Sequence, residues 1–304
     1  MIDAKKLVPL SLSPKTTEKQ NSFLKQRLNA ALEQGVNKAV EHLDQQSMRA
    51  VLEADAALQI EISEAVVETV RRHTKSEKFK SEEISSKHAY PQAYRVRTIE
   101  AQVAELKKAF PSLGKCKESL AHRPLPDKAE DWFAIPRWQA LAPTYGEAVE
   151  MAVNALAEKR RFSNRIAGRT KEAYLRQFER TQQAEAILAE QQSGNDILVV
   201  ALQAGLLHRG NSARRTRVIL ANNEYPLGAF AVACLLLTHP ERLSAGETLM
   251  IDCGGDEYSQ NKDGVFDRVP LFDYDISGIE FSTYYDNRAW DTWGTPTAFL
   301  YKQD

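Results

Sequence analysis

Cysteine is scarce in this chain of 304 residues: Cys116, Cys234 and Cys253 are odd in number and far apart. That excludes the disulfide framework of a small secreted domain and points to a reducing interior. Long hydrophobic runs are also missing. The most apolar stretch, residues 228–237, is far shorter than the ~20 residues a membrane-spanning helix needs. Residues 1–9 show neither an apolar core nor a small-residue cleavage site, so we expect a cytoplasmic protein without membrane attachment.

The common chemical signatures are absent as well. There is no Gly-x-x-x-x-Gly-Lys-Ser/Thr phosphate loop, no Gly-x-Gly-x-x-Gly fingerprint, no Gly-x-Ser-x-Gly elbow and no Cys-x-x-Cys. The six histidines (42, 73, 88, 122, 208 and 239) are scattered without the spacing of zinc ligands. No cofactor, structural metal or catalytic residue follows from such a chain.

What the chain does have is a split charge. The formal net charge is −1, yet residues 247–304 carry 12 acidic and 4 basic side chains. The remaining 246 residues hold 36 basic and 29 acidic groups, so the two parts stand at +7 and −8. Asymmetry of this kind bears on partners and on how the parts face each other. We expect the acidic end to pack partly against the basic residues of 159–217.

Apolar residues recur at helical steps over 15–74. One stripe runs through Phe23, Leu24, Leu28, Leu32, Val36, Val40 and Leu43; a second runs through Met48, Val51, Leu52, Leu58, Ile62, Val66 and Val70. The spacing predicts two amphipathic helices joined near residues 45–47, forming a hairpin with both stripes buried. Asp55 falls on the second stripe as a blemish. Residues 75–97 turn to charge and serine, as an exposed loop or hinge would. A short helix over 99–110 is stopped by Pro111. Four prolines within 120–143 predict an irregular segment pinned by Trp132 and Trp138.

Thr144 and Glu147 form a capping box before a helix that runs to about Arg161. Another helix is expected after Gly168, carrying Tyr174, Leu175, Phe178, Ile187 and Leu188. From Asp196 the pattern changes. Residues 197–202 read as a buried central strand, 212–221 as a helix, and 227–238 as a helix apolar all round. Strand-like pieces follow at 249–251, 269–274, 279–285 and 297–301.

Two groups of residues could carry function. Arg209, Asn211, Ser212, Arg214, Arg215 and Arg217 lie between a buried strand and a helix start, where backbone amides and arginines suit an anion. Gly210 would allow a close backbone approach there. The basic run 159–180, eight cations against Glu172 and Glu179, could add to it as a surface for phosphate or nucleic acid. The second group is acidic: Asp252, Asp256, Glu257, Asp263 and Asp267 are dense enough to hold a divalent cation through oxygen. An EF-hand register fails, because its first position would be Ser259 and its last Pro270.

The stretch Gly254-Gly255-Asp256-Glu257-Tyr258 resembles the signature turn of diguanylate cyclases. The likeness spans five residues, and residues 205–246 lack the upstream Asp their metal site needs.

The expected fold is mixed α+β: a helical N-terminal half followed by a compact α/β or α+β domain with a small mixed sheet. We expect a helical region over 1–110, a Pro/Trp-rich connection over 111–143 and a mixed domain over 144–304. The expected function is binding without catalysis. The partner would be a protein or a second copy, with nucleic acid or a phosphate-bearing ligand engaged through the arginines. The alternative is a hydrolase acting on a phosphorylated substrate, with the carboxylates of 252–267 facing the arginines of 209–217.

Overall fold

The computed structural model describes residues 18–72, 77–244, 246, 248–262 and 264–301. The fold is mixed α+β, and the chain divides into two units between Lys78 and Phe79.

The first unit holds α1 (Glu18–Val40), α2 (Gln45–Glu53) and α3 (Asp55–Arg72). The break falls at residues 41–44, slightly ahead of the expected position. Asp44 ends it as the N-cap of α2, accepting from the Ser47 amide at 2.7 Å. Only Ala54 separates α2 from α3, and hydrogen bonds into and out of Ala54 keep the two nearly continuous.

The helices are where periodicity places them, but the expected burial is not. No described side chain of residues 18–72 is buried. Among the described residues α1 does not pack along α3 in the predicted closed hairpin: Phe23, Leu24, Leu32, Val36, Val40, Leu52 and Ile62 of the two stripes are exposed, and Leu28, Leu43, Met48, Val51, Leu58, Val66 and Val70 are only half-buried. Periodicity reports that a face is apolar; it does not say what covers the face.

The second unit comprises residues 79–304. Its helices are α4 (Ile99–Ala109), α5 (Tyr145–Lys159), α6 (Glu179–Gln191), α7 (Ala213–Ile219) and α8 (Ala229–Thr238). Its strands are β1 (Asp131–Pro136), β2 (Phe162–Asn164), β3 (Leu175–Gln177), β4 (Ile197–Gln203), β5 (Glu224–Pro226) and β6 (Met250–Asp252). They continue with β7 (Asp256–Tyr258), β8 (Arg268–Asp275), β9 (Gly278–Tyr285), β10 (Trp293–Gly294) and β11 (Thr297–Phe299).

One sheet has the order β1-β4-β11-β5 and is antiparallel throughout. The other runs β10-β6-β8-β7-β3, with β9 beside β8 and β2 beside β9. It is mixed, because β10–β6 and β2–β9 are parallel pairs. Every residue of β4 is buried, as the unbroken apolar run of 197–202 requires of a strand flanked on both sides; Gln203 at its end is buried too. Every residue of α8 is buried too; it packs on α4, α5 and β1 and forms the centre of the core.

Two local expectations fail for identifiable reasons. The stretch 131–136 is a strand, not an irregular connection: Pro136 stands only at its end, leaving the apolar run before it free to pair with β4. Trp132 is buried there and donates its indole N–H to the Arg123 carbonyl at 3.1 Å. The helix expected after Gly168 begins only at Glu179. Residues 175–177 pair instead with β7, a long-range contact that local spacing cannot reveal.

Candidate functional site

The end of β4 leads into the arginine-rich segment. Gly205 and Gly210 take positive φ, and Ser212 caps α7, accepting from the Arg215 amide at 2.9 Å. The close approach at Gly210 is real, but what approaches is the chain itself. A Cβ there would lie 2.2 Å from the Ile84 carbonyl, and the Ile84 amide donates to the Gly210 carbonyl at 2.8 Å.

Residues 79–86 therefore lie across the start of α7 and bring their own anions. The Ser212 hydroxyl donates to Glu82 Oε2 at 2.7 Å, and its amide donates to the Glu82 carbonyl at 3.0 Å. Arg214 pairs with Glu82 and stacks on Phe79, its guanidinium carbon 4.0 Å from the ring centre. Arg215, only 3% exposed, reaches Glu83 at 2.9 Å. Burial pushes the Glu83 carboxyl up, but the neighbouring Lys80 and Arg215 hold it below its ordinary value. Arg209 donates to the His88 carbonyl at 3.0 Å. Asn211 is buried and bridges in strand fashion to Glu83.

Arg217 goes the other way, into the interior. It donates to the carbonyls of Gly254 at 2.9 Å and Asp256 at 2.5 Å, meets Asp286 at 3.3 Å, and lies over Phe178. Burial pulls its pKa down, and the carboxylates of Asp286, Glu257, Asp256 and Asp252 oppose that. Arg217 thus reaches the 252–267 stretch through main-chain oxygens, and the Asp286 carboxylate beyond it. The charge split is nonetheless partly closed within this unit: Arg165–Glu280 and Arg176–Glu257, each at 2.8 Å, join the same two regions as Arg217–Asp286.

The carboxylates do not converge. Asp256 is fully buried at the start of α8, where Oδ2 accepts from the Ala229 amide at 2.6 Å and Oδ1 from the Tyr145 hydroxyl at 2.7 Å. Burial pushes its pKa up to about 7. Gly255 has no room for a side chain, since a Cβ would meet the Leu227 carbonyl carbon at 2.4 Å. Asp252 is buried as well; its Oδ1 has no partner, and burial pushes it up to about 7 against the pull of Arg217. Glu257 is paired with Arg176, and Asp267 is exposed. Asp263 lies outside the described residues. Among the described residues no three His, Cys, Asp or Glu side chains converge so as to hold a metal ion.

Several polar groups that the sequence did not single out belong to this interior. Glu185 faces Gln177 and is pushed up to about 7 by burial. His208 Nε2 lies 2.6 Å from Glu224 Oε1, which also accepts from Thr297 Oγ1 at 2.5 Å. Arg242 is completely buried without an acidic partner, donating to the carbonyls of Ala204 and Leu249 and lying over the Tyr90 ring. A lone His, Glu or Arg carries no local signal of such a role. Chemically the arrangement neutralises and fixes; neither Asp252 nor Asp256 reaches the surface.

No protein family, curated protein or solved structure matches this chain. Among the described residues no helix is long and apolar enough to cross a membrane.

Proposed function

We propose that the protein works by binding another polypeptide through its N-terminal helices, and not by catalysis. The observation that carries this reading is the open apolar surface of residues 18–72. Phe23, Leu24, Leu32, Val36, Val40, Leu52, Ile60, Ile62 and Val67 all stand exposed, Ile60 at 59% and Val67 at 64%. A soluble chain rarely presents so many large apolar side chains on neighbouring helices unless something covers them. Amphipathic helices of this kind dock by laying an apolar face against a complementary surface.

The second unit supports the same reading by what it lacks. The arginines of 209–217 face Glu82, Glu83, Asp286 and backbone carbonyls, so an external phosphate would have to displace partners already in place. The buried carboxylates are closed off from a substrate.

Cross-linking of the full-length protein in its own cells, followed by mass spectrometry, tests the proposal. Cross-links to another polypeptide, identical or different, should concentrate on Lys25 and Lys38 of α1. They should fall away in the Ile60→Glu/Val67→Glu variant. Cross-links confined to residues 79–301 would refute the proposal, as would turnover of a phosphorylated substrate that Asp252→Asn abolishes.

A further inference from the structure

The interaction reading leaves the identity of the polypeptide open, and the charges of the two helical stretches narrow it. The sequence of α1 carries Lys19, Lys25, Arg27 and Lys38 against Glu18 and Glu33, a balance of +2. Residues 45–72 carry Arg49, Arg71 and Arg72 against Glu53, Asp55, Glu61, Glu64 and Glu68, a balance of −2. The two stretches are comparable in length, 23 and 28 residues, or roughly 35 and 42 Å at ~1.5 Å per residue. Each bears an apolar stripe, and exposed apolar side chains stand on both: Phe23, Leu24, Leu32, Val36 and Val40 on α1, and Leu52, Ile60, Ile62 and Val67 on α2–α3.

Resting on that reading, we infer that the partner is a second copy of this chain. In the complex α1 of each copy packs against α2–α3 of the other to form an antiparallel four-helix bundle. The charges oppose pairing of like with like: α1 against α1 would bring +2 onto +2, and α3 against α3 negative onto negative. Only the crossed pairing is attractive along both seams, and a two-fold axis generates both seams from one contact. Flanking charges select partner and orientation in helical bundles, while the apolar stripes supply the driving force. A polyanion is a poor occupant for two helical stretches whose charges of +2 and −2 cancel, because α2–α3 would repel what α1 attracts. A closed hairpin within one chain would satisfy the same charges, but among the described residues α1 and α3 do not pack along each other.

Light scattering after size-exclusion chromatography tests the inference on the full chain. Wild type should elute at twice the monomer mass. Lys25→Glu/Lys38→Glu makes α1 acidic, and Glu53→Lys/Glu61→Lys makes α2–α3 basic; all four side chains are exposed, so the melting of the second unit should not change. Each variant alone should run as a monomer, and an equimolar mixture should recover the twofold mass. A hairpin closed within one chain would not respond to mixing, since neither variant can repair the other. A monomeric wild type over the whole accessible concentration range overturns the inference, and so does a mixture that stays monomeric. If the chain is monomeric but Lys25 and Lys38 still cross-link to a different protein, self-pairing fails while the interaction reading stands. If they cross-link to nothing, both fail.

Discussion

Arg242 and Val67 are each out of place by the usual rule, and in opposite senses. Arg242 is a charged side chain with no exposure, held by two backbone carbonyls and an aromatic ring; Val67 is an apolar one that is mostly exposed. At Arg242 the second unit takes in charge and satisfies it internally, while the first puts apolar side chains out. A folded chain tolerates the first arrangement when every buried polar group finds a partner. The second leaves helices to stand largely on their own hydrogen bonds, whereas most helical stability in proteins comes from packing of the amphipathic face. On the proposed reading, one unit is complete in itself and the other acquires its cover from outside.

Substitution in the two units should break this contrast most visibly. Val200→Asp or Leu236→Asp places an unpaired charge in the core and should cost roughly 3–5 kcal/mol, read from urea unfolding. Val67→Asp should change the stability of the second unit by less than ~0.5 kcal/mol, as expected of an exposed position. Equal losses at the two sites would erase the distinction between them.

Next in size is Arg217→Met. It keeps the bulk of the side chain but leaves Asp286 and the carbonyls of Gly254 and Asp256 without their donor. We expect a loss of roughly 2–4 kcal/mol in the same unfolding measurement. A neutral outcome would mean that the interior does not depend on this guanidinium.

The pH profile sharpens the picture of the interior. Asp252 has a folded pKa of about 7 against an ordinary 3.8, so between these values the folded state binds a proton that the unfolded state has lost. The contribution to stability is fully present below about pH 4 and is lost as pH rises through about 7. It is on the order of a few kcal/mol for a fully buried group. Asp252→Asn should therefore flatten the fall in stability between pH 4 and 7. A slope identical to wild type would show that Asp252 ionises in the folded protein much as it does in the unfolded one.

The smallest effect belongs to the surface. Arg165→Ala removes an exposed pair with Glu280 and should cost ~0–1 kcal/mol, less at high salt.

These contrasts also mark what the sequence could convey. Helix periodicity over 18–72, the all-apolar run of β4 and the all-round apolar α8 are local patterns, and each became the expected element. The acidic C-terminal region meets arginines of 159–217 as the net charges suggested, at Glu257, Glu280 and Asp286. The anion site at Ser212 was legible as chemistry, but its occupant was not, because Glu82 and Glu83 sit some 130 residues earlier in a stretch that reads as loop. The same holds for β1 and β3: their pairing partners β4 and β7 are distant in sequence, and proline content or helical spacing outweighed them. The exposure of Val36 and Leu52 was out of reach for a different reason, since a stripe looks the same in sequence whether its cover lies in the chain or in a partner.

Amide hydrogen exchange on the full-length protein tests the division most directly, followed in parallel for residues 18–72, 197–203 and 229–238. At high dilution the amides of α1 and α3 should exchange orders of magnitude faster than those of β4 and α8, and they should slow as concentration rises while the core stays unchanged. Protection of 18–72 equal to that of the core at every concentration would contradict the division, because the helices would then already have their cover within the single chain.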